Sequence, residues 1–166
     1  MKAEDINNEN INRHKTDVKN SFEDLQKAID RLNKYVETLI LGSGRKFEKA
    51  MIELYKEDLE LHGVNPEKIK HRVVVDEKGV TPLKGFEYEV NFYEANDKEV
   101  YLFKFLIEGD SDSVIQLLNR KRLFESMGKK VTKMFLVCHV ISKKDKELAE
   151  KNGITVITDQ VIRKSK

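Results

Sequence analysis

Apolar residues recur along the first forty positions at alternating intervals of three and four. Phe22, Ile29 and Val36 fall on heptad a positions. Ile11, Val18, Leu25, Leu32 and Leu39 fall on d positions. Lys15 interrupts one a position, a polar break of the kind that fixes register or oligomeric state. Neither Pro nor Gly occurs before Gly42. The pattern predicts one long coiled-coil helix over residues 1–41. A helix with so narrow an apolar seam cannot bury it alone. The expected partner is a second copy of the chain, giving a homodimer or a higher oligomer. The competing arrangement is an ordinary amphipathic helix folded back on its own domain. The flanking e and g positions are largely uncharged (Gln26, Asn33, Ile40; Ser21, Ala28, Tyr35) and say little about strand orientation.

Gly42 and Gly44 break the helix, as a hinge or a helix restart. A second helix is expected over residues 45–62, with Phe47, Met51, Leu54 and Leu61 turned inward and Gly63 closing it. The pattern then changes to period two. Residues 71–76 read as a strand and 76–79 as a turn. Residues 86–93 alternate, with Phe86, Tyr88, Val90 and Phe92 on one face and Glu87, Glu89, Asn91 and Tyr93 on the other. Residues 100–107 are apolar apart from Lys104, as in a central strand covered on both sides. A helix over 112–127, a strand over 133–141, a short helix over 143–151 and a strand over 154–158 complete the chain. The expected class is α/β with a mixed sheet, organised as a helix (1–41) and a domain (42–166).

Composition narrows the function classes. Lys and Arg number 31 and Asp and Glu 29. The protein is therefore no bulk polycation, and any nucleic-acid surface must come from local clustering. Such a cluster exists between residues 112 and 133. Arg120, Lys121, Arg122, Lys129, Lys130 and Lys133 stand there against only Asp112 and Glu125. The bland reading of that run is a solvated helix face. Cys138 is the single cysteine and lies in an apolar run, so it reads as a core residue rather than a nucleophile. The polar, acidic N-terminus does not read as a signal peptide, and no apolar run approaches membrane-spanning length. The expected setting is cytoplasmic, away from membranes. His14, His62, His71 and His139 lack metal-ligand spacing and carry no assigned role.

The ordered pieces resemble a known family. They are a Gly-containing segment before Glu48, Asp76-Glu77-Lys78-Gly79, Glu89-Val90-Asn91, Lys104-Phe105-Leu106, Arg120-Lys121-Arg122 and Gly153-Ile154-Thr155-Val156. In that order they are similar to the PD-(D/E)XK, or restriction-endonuclease-like, superfamily. The nearest likeness within it is to mostly archaeal proteins that place a coiled coil before such a domain. The resemblance implies an αβββαβ core with an αβ extension. In active members an Asp and a Glu on adjacent strands hold a divalent cation, and a Lys orients the attacking water.

Here the Asp position reads Asn91, the Glu position Lys104 and the Lys position Leu106. Mg²⁺ prefers hard carboxylate oxygens, and Lys104 puts a cation where one should bind. Of the expected acidic set Glu48 remains, with Glu87 and Glu89 nearby. The expectation is a degenerate metal site, no cofactor, and a coiled-coil oligomer that binds nucleic acid such as DNA, or a protein partner. One alternative is an active Mg²⁺-dependent endonuclease with a site rebuilt from Glu48, Glu87, Glu89 and Glu108. Another is an adaptor working through the coiled coil.

Overall fold

A computed structural model describes residues 2–163. Helix α1 (Ala3–Leu41) runs unbroken for 39 residues, as the heptad pattern predicts. Gly42 stops it with φ +71°, its N–H bonding to the Thr38 carbonyl, a conformation that an L side chain rarely adopts. Helix α2 (Arg45–Leu54) and helix α3 (Lys56–Leu61) follow. The single expected helix is thus divided at Tyr55. Continuous i to i+4 bonds on both sides make the division slight. Leu61, expected inside, is exposed.

A 3₁₀ turn (Pro66–Lys68) leads into five strands: β1 (Lys70–Val75), β2 (Glu87–Glu94), β3 (Glu99–Gly109), β4 (Lys130–Ser142) and β5 (Ile154–Ile162). Helix α4 (Ser111–Ser126) joins β3 to β4, and helix α5 (Lys143–Lys151) joins β4 to β5. The sheet order is β1-β2-β3-β4-β5. The first two pairings are antiparallel and the last two parallel. Each parallel step carries the helical crossover that parallel pairing requires. The protein is therefore α/β, with a long N-terminal helix and a mixed five-stranded sheet.

Alternation along the strands divides the core into two layers. Tyr88, Val90, Phe92, Leu102 and Leu136 pack with Leu117, Leu123 and Phe124 of α4. Phe103, Phe105, Phe135 and Val137 pack on the opposite face with Phe47 and Met51 of α2 and Leu59 of α3. Cys138 lies in the first layer, fully buried, and burial pushes its thiol pKa up. Phe86, expected with Tyr88, precedes β2 and is exposed. The Asp76 turn is a folding device. Its buried carboxylate accepts from Val80 N, Thr81 N and Thr81 Oγ1. Burial alone would raise the Asp76 pKa, but these bonds and one from Gly79 outweigh it and hold the group below its usual value.

Only the last turns of α1 rest on the domain. Residues 2–33 are exposed, and so are the seam residues Val36 and Leu39 beyond them. Contact is made instead through Arg31, Lys34, Tyr35 and Thr38. These occupy heptad positions c, f and g, outside the a/d seam itself. The helix is therefore fastened to its own domain by its polar side, and the apolar seam remains uncovered. The 42–44 segment closes a helical hairpin in which Lys34 bridges to Glu53 at 3.0 Å. No helix among the described residues is long and apolar enough to cross a membrane.

Candidate functional site

The sheet has a fork. Asn91–Glu94 of β2 pairs with Val100–Phe103 of β3. Beyond Asn91 and Phe103 the two strands part. The stretch 87–90 of β2 keeps only β1 as a neighbour, and β3 from Lys104 onward keeps only β4. Separation of this kind frees ladder groups that must find other partners. The Glu89 carbonyl accepts from Arg120 Nε of α4 at 2.9 Å. Arg120 is only 9 % exposed. It also donates through Nη1 to the Gln116 carbonyl at 3.1 Å, and its guanidinium lies 5.6 Å from the Tyr88 ring centroid. Nη2 makes no hydrogen bond among the described residues.

Lys104 is the first β3 residue past the fork. It is half-buried and forms no salt bridge among the described residues, with Glu89 or any other acid. Burial lowers its pKa first, and the Arg120 charge lowers it further. Glu48, Glu89 and Asp110 raise it without reversing the shift. Burial likewise lowers Arg120. Two cations thus share a partly desolvated gap without a carboxylate bound to either.

The fork gathers some of the sequence candidates and scatters others. Strand alternation puts Glu89 and Asn91 on the α2 face, and Lys104 and Leu106 on the α4 face. Glu48 lies on α2, bonded to Arg45 at 3.1 Å. The charges of Glu48 and Glu89 nevertheless act on both Lys104 and Arg120. Asn91 is 7 % exposed, and its Oδ1 has no hydrogen-bond partner. Leu106 simply packs against the α4 layer. Glu87 sits at the far end of β2, exposed and opposite Val75.

Within the basic run the members have different surroundings. Arg120 points inward, Lys121 pairs with Glu125 at 3.9 Å, and Arg122 is exposed. Lys130 is paired with Glu99, five residues before Lys104, which is about 17 Å along the strand. Lys129, beside it, donates to the Asp97 carbonyl at 3.1 Å.

The donor set at the fork does not suit Mg²⁺. It offers one neutral amide oxygen, a carboxylate engaged by arginine, an exposed carboxylate and an ammonium. No three His, Cys, Asp or Glu side chains are grouped to hold a metal among the described residues.

His139, given no role from sequence, holds the second polar cluster. It is buried on β4 beneath α1. Thr38 Oγ1 donates to the Tyr35 carbonyl at 2.6 Å, so it accepts from His139 Nε2, also at 2.6 Å. Nδ1 is then the acceptor of the neutral ring and accepts a hydrogen bond from the Tyr55 hydroxyl at 2.7 Å. Tyr35 stacks on the ring with centroids 4.0 Å apart. Burial lowers the His139 pKa, and the nearby Asp159 and Arg31 pull it in opposite directions. His139 and Thr38, 101 positions apart, together with Tyr35 and Tyr55 thus lock α1 to the sheet.

No family model, no curated protein and no solved structure matches this chain.

Proposed function

We propose that the chain is a restriction-endonuclease-like domain whose metal site has degenerated, and that it binds nucleic acid without cleaving it, as an oligomer assembled through α1. The element order after α1 and the mixed sheet support the nuclease-like reading. Lys104 carries it: a lysine is the first β3 residue beyond the fork, at the position that the resemblance gives to a metal-binding Glu. A metal-activated water has no place in such a site, so no hydrolytic step follows from these residues. The acids of a rebuilt site are spread apart, with Glu87 at the end of β2 and Glu48 tied to Arg45. The uncovered seam of α1 supports the oligomer. It also favours a second reading, an adaptor whose working surface is the coiled coil.

Labelled single- and double-stranded DNA, incubated with Mg²⁺ or Mn²⁺ and followed by anisotropy and by gel, separates these readings. The expected result is intact DNA and binding that weakens with salt, by roughly 0.9 in log K per log unit of salt for each duplex phosphate contacted. Charge reversal at Lys121 and Arg122 should weaken it further. Robust cleavage abolished by Glu89→Ala would overturn the inactive assignment. Absence of DNA binding would leave the adaptor.

A further inference from the structure

Helix α1 leaves a continuous apolar stripe in water, which a lone helix does not keep. Its eight seam residues from Ile11 to Leu39 are each 43–67 % exposed. Half-exposed side chains of this size leave on the order of 90 Å² each to solvent. Two copies paired along the seam would cover about 1,400 Å², within the range of a specific interface, roughly 1,200–2,000 Å². Ile40 flanks the seam at an e position and, at 79 % exposed, is the most exposed large apolar side chain of α1. Its own domain, docked through c, f and g positions, leaves it uncovered.

We infer that the seam is occupied by a second copy of this chain, parallel and in register, and that Ile40 of each copy closes over Tyr35 of the other. The inference rests on the reading of α1 as the assembly element and adds its orientation, its number of strands and a shared residue. Side-chain shape supports two parallel strands. Next to the domain, β-branched Ile29 and Val36 hold a positions, and Leu25, Leu32 and Leu39 hold d positions. Charge on the flanks is silent about orientation, but apolar matching is not. In a parallel pair each g side chain lies beside the e side chain five residues further on in the other copy, which sets Tyr35 against Ile40. The antiparallel register with the fullest seam overlap opposes Phe22 to Leu25 and puts Ile40 beside Asp5 and Asn12. The parallel pair alone gives Ile40 an apolar neighbour. The two Lys15 ammonium groups meet in this pair, which costs stability and fixes register, as a single polar a position does. Tyr35 is half-buried and stacks on His139 with centroids 4.0 Å apart. Ile40 of a second copy therefore forms the outer wall of the cluster that fastens α1 to the sheet, and that wall is complete only in the dimer.

Sedimentation equilibrium of the full chain and disulfide trapping of Ile11→Cys test this. Cys138 is fully buried, so the parent serves as the control that does not cross-link. In the parallel pair the two introduced thiols sit at facing d positions, within the Cα separation of up to ~7 Å that a disulfide spans. In the antiparallel pair Ile11 faces Val36, which leaves the two thiols roughly 37 Å apart. The expected result is a dimeric parent and a disulfide-linked dimer of Ile11→Cys in a glutathione redox buffer. Ile40→Asn should raise the dimer dissociation constant at least ten-fold, with circular dichroism confirming that the variant is folded. A dimer that fails to cross-link through Ile11→Cys overturns the parallel arrangement and spares the oligomer, and its cross-linking to an added Val36→Cys chain identifies the antiparallel one. A trimer or larger species overturns the two-stranded assignment. A parent that stays monomeric overturns the inference and the oligomer reading together. An Ile40→Asn dimer as tight as the parent overturns the contact with Tyr35.

Discussion

Replacing Thr38 with valine tests how α1 is held to the sheet. Valine matches threonine in shape, so no cavity opens, and the loss is confined to one hydroxyl. That hydroxyl accepts from His139 Nε2 at 2.6 Å in a fully buried position. In the variant the imidazole N–H faces a methyl group and cannot reach water. A buried donor left unsatisfied costs about 1–3 kcal/mol. For a chain of this size each kcal/mol lowers Tm by roughly 2–4 °C, so the expected fall is about 2–12 °C. Calorimetry of Thr38→Val and the parent, at equal protein concentration because association shifts Tm, provides the measurement. Thr16→Val is the control, since Thr16 makes only an exposed bond to the Asn12 carbonyl within the same helix. A Thr38→Val midpoint equal to that of the control would refute the polar lock and place the attachment of α1 elsewhere.

Other outcomes follow from the same geometry. His139 is held neutral, with a folded pKa below its unfolded value of about 6.5. The unfolded chain therefore binds the extra proton, so stability from this group is complete above pH ~6.5 and is lost as pH falls through the folded value. Urea midpoints measured between pH 7.5 and 5 should decline, and His139→Gln should flatten that decline; an equal slope in both proteins would sink the assignment. Leu32→Asp places a charge on the exposed seam of α1 and should reduce the solution mass to that of a monomer, as read by light scattering, while an unchanged oligomer would exclude the seam as the interface. Gly109→Ala would bring a Cβ within 2.9 Å of Ile141 Cδ1 and 3.0 Å of Cys138 Sγ. Overpacking there should cost about 1–3 kcal/mol in urea unfolding, and a neutral result would mean that β4 yields.

The long helix and the strand order were readable because each obeys a simple period. Seam residues 11–39 keep the 3–4 spacing without a Gly or Pro, and β3 and β4 are apolar runs of the kind that sheets covered on both faces require. The character of Arg120 was hidden by its basic neighbours. It lies three residues after Leu117 and four before Phe124, on the apolar stripe of α4, and that spacing was the available signal of an inward arginine. His139 offered no such signal, because its partner Thr38 lies 101 positions away and its ring is explained only once α1 has docked. The parting of β2 from β3 was equally silent. Nothing in Asn91 or Lys104 announces that pairing stops there.

The polar lock turns α1 into a lever. Thirty-nine helical residues measure about 58 Å, and the stretch before Arg31 accounts for roughly 42 Å of it. From Tyr35 to the tip the arm is about 48 Å, so a tilt of ten degrees where Tyr35 meets His139 would carry the tip about 8 Å sideways. Small changes around one imidazole are therefore magnified along the arm. In an assembly joined through that arm, they would set how far apart the attached domains stand.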